Sequence, residues 1–113
     1  MKRFSKFLWI FFISFSSLMA CGDERVEIEI ILKDHKFDKE IIEVPKGRKI
    51  RLTVKNEDPT VEEFDSIDLN REKIIPGNSE AHIILAPLKP GKYCFMGEFH
   101  SDTATGCLVV NDN

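Results

Sequence analysis

The sequence predicts an all-β domain, a two-sheet antiparallel sandwich with Greek-key connections and about seven short strands. Three observations carry this. Segments alternate polar and apolar residues with period two, turn residues recur at short intervals, and no segment sustains helical periodicity over three turns. In the first strand, residues 26–33, Val26, Ile28, Ile30 and Leu32 share one face. A short strand at 41–44 is stopped by Pro45-Lys46-Gly47. Residues 49–55 alternate again, with Ile50, Leu52 and Val54 inward. Residues 62–71 read as irregular, with room for one helical turn. Further strands are expected at 72–75, 80–86, 91–96 and 106–110, separated by Pro76-Gly77-Asn78 and Pro90-Gly91. His82 falls in a strand whose phase stays open, because apolar residues occupy both faces.

The first twenty residues are of another kind. Lys2, Arg3 and Lys6 precede an apolar run from Phe7 to Phe15 broken only by Ser14, too short to span a membrane comfortably and fitting a signal peptide. Leu18-Met19-Ala20-Cys21 resembles the lipobox of bacterial lipoproteins, whose cysteine is acylated and becomes the mature N-terminus. Ordinary secretion with Cys21 incidental, and an uncleaved anchor, are the alternatives. The expected organisation is a lipoprotein signal peptide at 1–20, a lipid anchor and tether at 21–25, and one domain at 26–113. The expected location is the cell envelope, on the periplasmic side of a membrane. Without the leader the chain has 93 residues, with 13 Lys+Arg against 19 Asp+Glu and a formal charge of −6. That length holds one modest core. The acidic, unclustered surface argues against nucleic acid and against electrostatic membrane binding, so the membrane contact falls to the lipid.

Two cysteines remain in the domain. Cys94 lies between Tyr93 and Phe95, and Cys107 precedes Leu108 and Val110. Strand alternation turns both away from the core. If the last two strands pair antiparallel with position numbers summing to 201, Cys94 faces Cys107 within disulfide range. A one-residue slip or a bulge would instead leave two exposed thiols.

The order of features resembles a cupredoxin over residues 26–111. It runs from Phe37 through Ile42 and Val44 to Gly47, a charged strand ending in Asn56, then Pro90-Gly91-x-Tyr93-x-Phe95, His100 and Gly106. Within cupredoxins it is more similar to the EfeO-type and Ftr-type domains that accompany bacterial iron permeases. The strings that carry this are Lys33-Asp34-His35-x-Phe37, Glu62-Glu63-Phe64-Asp65-Ser66, Leu69-Asn70-Arg71-Glu72-Lys73, and Gly97-Glu98-Phe99-His100-x-x-Thr103-Ala104-x-Gly106.

The resemblance implies a metal site and also a departure from it. A blue copper site needs a thiolate beside two imidazoles. In cupredoxins that thiolate follows the Pro-Gly-x-Tyr-x-Phe strand, where this chain has Gly97, and Cys94 faces the wrong way to replace it. Glu98 and His100 follow the same strand. Glu63 matches the acidic ligand of EfeO-type domains. Their nearby ligand cysteine aligns with Phe37 and does not carry over, so His35 is the substitute. The candidate ligands are therefore His35, Glu63, Glu98 and His100, with Glu62, Asp65, Glu72 and Met96 behind them. Mixed carboxylate and imidazole ligation suits Cu(II), and also Fe or Mn.

The expected function is a copper- or iron-binding envelope lipoprotein that assists ferrous iron uptake, by Fe(II) oxidation or electron transfer. By resemblance its partners are an iron permease complex and a periplasmic iron-binding protein. The alternative is a non-redox module that buffers or delivers copper or iron, or docks on a partner. A hydrolase is excluded by the absence of a nucleophile elbow or a His-Glu-x-x-His helix.

Overall fold

The computed structural model describes residues 25–112. The leader and Cys21 lie outside the described residues. Nine strands form: β1 (Val26–Lys33), β2 (Lys36–Phe37), β3 (Ile41–Val44), β4 (Ile50–Asn56), β5 (Glu62–Ser66), β6 (Arg71–Ile75), β7 (Ser79–Leu85), β8 (Gly91–Gly97) and β9 (Thr105–Val110). A 3-10 turn, Glu98–His100, links β8 to β9. The strands make two sheets, ordered β2-β1-β4-β7 and β3-β9-β8-β5-β6.

The sandwich is as the alternation predicts, but its sheets are mixed rather than antiparallel. β1 pairs parallel with β4, and β3 parallel with β9. The physical reason is connectivity. After β1 the chain crosses to the other sheet as β3 and returns as β4, so β4 runs in the direction of β1. The strand count also exceeds seven, because β2 and β5 escape the apolar pattern. Residues 62–66 are a strand, not an irregular segment. Its inward positions are Glu62, Phe64 and Ser66, all buried, so only one of three is apolar and the period-two signal is hidden.

The core lies between the sheets. Ile30, Leu32, Ile50, Leu52 and Val54 face Phe64, Phe95, Leu108 and Val110, each at most 3% exposed. Phe95 packs edge-on to Phe37 at 5.3 Å and stacks on Phe64 at 5.1 Å, joining the sheets near the β8 end. The phase of β7 resolves with Ala81, Ile83 and Leu85 inward and His82 outward. There His82 Nδ1 bonds Thr53 Oγ1 at 2.9 Å and the ring meets Glu80, a surface role.

Polar residues fix the loops that lead to the site. Asn56 is buried, and its Nδ2 donates to the carbonyls of Thr60, Ile75 and Pro76 while its Oδ1 accepts from the Asp58 N–H. One side chain thus ties the loop before β5 to the end of β6. Tyr93 Oη donates to the Lys89 carbonyl and closes the Pro90-Gly91 turn.

Candidate metal centre

Three elements converge at one end of the sandwich: the β1–β2 turn with His35, the first residue of β5, Glu62, and the 3-10 turn with His100. Asp34 and His35 both have positive φ, 54° and 61°. Two successive positive φ values are what a two-residue hairpin turn requires, and a non-glycine pair needs support. Asp58 supplies it. Its carboxylate oxygens accept from the Asp34 N–H at 2.7 Å and the His35 N–H at 3.0 Å. Burial alone would raise the Asp58 pKa, but these bonds from His35 and Asp34, aided by the nearby charges of His35 and Lys33, hold it below the usual value. Thr103 Oγ1 donates to the His35 carbonyl at 2.6 Å, and the Thr103 and Ala104 N–H groups donate to the His100 carbonyl. The two histidine turns are thereby braced on each other.

Their rings stack, centroids 3.5 Å apart and planes 9° from parallel. His100 Nδ1 lies 2.7 Å from Glu62 Oε2. A carboxylate can only accept, so Nδ1 carries the hydrogen. Glu62 is 2% exposed, and its Oε1 accepts from the Phe99 and Glu63 N–H groups. A buried carboxylate costs several kcal/mol unless satisfied; here both oxygens are engaged.

The room for this carboxylate comes from Gly97. A Cβ at Gly97 would lie 2.7 Å from Glu62 Cδ and 3.0 Å from Ala104 Cβ. The position where a cupredoxin presents its thiolate is empty of side chain, and Glu62 fills the volume.

Strand alternation corrects the sequence-based ligand set. Glu62, ranked second, points in; Glu63, ranked first, points out. With Glu63 on the outer face go Asp65 and Glu72, which are cross-strand partners, and Met96, on the opposite side of β8 from Phe95. Glu98 is exposed in the 3-10 turn, close enough to Glu63 for its charge to be felt. The Glu63 pKa is raised, by desolvation first and then by the charges of Glu72, Asp65 and Glu98. Of the candidate ligands, His35, His100 and Glu62 meet in direct contact at the end of the sandwich, while Glu63, Asp65, Glu72 and Glu98 gather on the outer face. Among the described residues no group of three or more His, Cys, Asp or Glu side chains stands ready to hold a metal ion. The stack keeps the His35 and His100 nitrogen lone pairs in two parallel planes, which do not converge on one point.

Asp58 was not legible as a site residue. Its only signal is its place in Asn56-Glu57-Asp58-Pro59, a turn-forming string.

On the outer face of the five-stranded sheet, β8 and β9 pair in the register Cys94↔Cys107, with position numbers summing to 201, and the two cysteines form a disulfide. Among the described residues no thiolate is then left, and the donor set does not fit a blue copper centre.

Comparison with known proteins places this geometry. Residues 5–110 match the family described as the cupredoxin-like domain, and the chain belongs to that family. An uncharacterized protein of Rickettsia prowazekii (strain Madrid E), RP394, is 57% identical over 91 residues, 80% of this chain and 73% of that protein. Among solved structures, auracyanin A, a "blue" copper protein of Chloroflexus aurantiacus, superposes with a TM-score of 0.67 at 19% identity, covering 78% of this chain and all of that one. The metal-binding domain of the Cu(I)-exporting P-type ATPase CopA of Streptococcus pneumoniae D39, with Cu(I), gives 0.66 at 18% identity over 79% of this chain and 97% of that one. At these identities the likeness is one of fold.

Proposed function

We propose that the chain is a metal-binding module of the cell envelope that holds Cu(II), or iron, through Glu62, His100 and His35, without a thiolate. One observation carries the reading: a buried carboxylate 2.7 Å from His100 Nδ1, in the space that Gly97 leaves. Two donors each about 2.0–2.1 Å from one ion and at right angles are about 2.9 Å apart. The Glu62–His100 contact is therefore also a spacing of neighbouring ligands, with a proton where the ion would sit. His35 would turn out of its stack to supply a third donor. Oxygen and imidazole donors suit Cu(II) and Fe, whereas thiolate and thioether select Cu(I).

The same chemistry favours binding over rapid electron transfer, so a non-redox role as buffer or delivery module is the reading the donor set supports. The setting we propose is ferrous iron uptake, beside an EfeO-type or Ftr-type permease and a periplasmic iron-binding protein, with the domain tethered through lipidated Cys21. It rests on the four strings shared with those domains and on the lipobox. Fe(II) oxidation is the second reading, because oxygen ligands stabilise Fe(III) over Fe(II).

Calorimetric and spectroscopic titration with Cu(II) tests the site. The protein should take up about one Cu(II) with a pale spectrum, lacking an intense thiolate band. Glu62→Gln and His100→Ala should each weaken binding, and Glu63→Gln should not. Affinity should fall as pH falls, since a proton competes for the same nitrogen. Loss with Glu63→Gln and none with Glu62→Gln would refute the assignment. Aerobic Fe(II) oxidation, accelerated or not by copper-loaded protein, separates the redox reading from the binding one.

A further inference from the structure

The outer face of a sandwich sheet is ordinarily polar. On the five-stranded sheet one part of it, around β8 and β9, is apolar. Where β5 ends and the chain swings away through Ile67 and Asp68, a groove of about 530 Å³ opens over β8 and β9. Its floor is the Cys94–Cys107 disulfide with Met96, and Ile41 and Ile67 wall it at 56% and 88% exposed. Single exposed apolar residues need no explanation, but a contiguous apolar concavity marks a contact surface. Its edges are pinned: Ser66 Oγ donates to the Cys94 carbonyl, and the Cys94 N–H donates to Asp68 Oδ2, so the groove is preformed and its strand edge satisfied there.

The charged residues that line it are acidic, with Arg71 just beyond Asp65 and Ile67. Glu40, Asp65 and Asp68 line the groove, and no Lys or Arg does. Glu63 and Glu72 extend the negative strip along the same face, which Lys92, two residues before Cys94 on β8, partly offsets. An apolar floor with an acidic rim is complementary to an apolar anchor flanked by cations.

We propose that this groove docks a cationic segment of a partner protein, with an aliphatic side chain seated on the disulfide between Ile41 and Ile67 and flanking Lys or Arg side chains against Glu40, Asp65 and Asp68. The site is separate from the Glu62–His100 end and does not depend on metal binding.

The full chain, methyl-labelled for NMR, is titrated with two short synthetic peptides, one alternating lysine and leucine and one alternating glutamate and leucine. The lysine peptide should shift the Ile41, Ile67 and Met96 signals and bind more tightly than the glutamate peptide. Its affinity should fall with added salt. Ile41→Ser with Ile67→Ser should weaken binding about tenfold, as loss of a central anchor does. Ile84→Ser, exposed on the other sheet, should leave it unchanged. All three are surface positions, and the thermal midpoint checks that each variant folds; the two-peptide comparison stands on the wild type alone. Equal binding of both peptides, or shifts centred on Ile74, the cross-strand partner of Glu63, instead of the groove, would overturn the proposal. So would protection of Ile67 by self-association as concentration rises, which would make the occupant a second copy of this chain.

Discussion

Gly97→Ala isolates the contact that distinguishes this centre. Gly97 has φ −89° and ψ 112°, ordinary extended backbone that alanine adopts without strain. Any cost must come from contacts. The new Cβ would lie 2.7 Å from Glu62 Cδ, 2.8 Å from Oε2 and 3.0 Å from Ala104 Cβ. A carboxylate at the end of a flexible side chain could ordinarily move aside. This one is held by the Phe99 and Glu63 N–H groups and by His100 Nδ1. Each bond to a charged acceptor is worth about 1.5–3 kcal/mol, so moving the group far enough to break one or two costs about 1.5–6 kcal/mol. The assay is urea unfolding of wild type, Gly97→Ala, Glu62→Ala and the double variant. With Glu62 truncated, the two closest contacts are gone and the 3.0 Å approach to Ala104 Cβ remains, so the effect should shrink to about 1 kcal/mol or less. The coupling between the positions should then exceed about 1.5 kcal/mol. Additivity within about 0.5 kcal/mol would refute the argument, because independent sites behave that way.

Asp58→Asn should destabilise the domain by about 1–3 kcal/mol at neutral pH, since one of two part-buried N–H groups loses its charged acceptor. Because the folded Asp58 pKa lies below its unfolded value, its contribution is complete above the unfolded pKa of about 3.9. It is lost as pH falls through the folded value, and acid titration of stability should show the Asn variant missing that slope. Reducing the Cys94–Cys107 bond, which closes a separation of 13 residues, should cost about 1–3 kcal/mol in denaturant melts. Thiol titration of denatured, unreduced protein should find neither sulfur free. Cys21→Ser should release the protein from membranes on fractionation; a wild type that is already soluble, with an unmodified Cys21, would contradict the lipobox reading.

The strands that declare themselves in sequence are those whose inward residues are all apolar. Ile30 with Leu32, Ile50-x-Leu52-x-Val54 and Ile83 with Leu85 are of this kind, and their elements lie within a residue or two of expectation. That Cys94 and Cys107 both face outward was readable for the same reason, since Tyr93, Phe95, Leu108 and Val110 set the phase of both strands, but the register that pairs them came with the structure. β5 was not readable, because its inward Glu62 and Ser66 are polar residues kept there by partners far along the chain. Glu62 answers to His100, and Ser66 to Cys94.

Local covalent order therefore determined the absence of a thiol at Gly97 and most strand phases, because each depends on neighbours within a few residues, and it is the sole basis of the proposed leader and lipobox. What tertiary structure alone decided is which of Glu62 and Glu63 enters the site, how Asp58 holds the His35 turn from 23 residues away, and that β1 lies parallel to β4. Those outcomes depend on which sheet each segment joins and on a buried charge finding its donors. Such pairings exist only once distant segments have met.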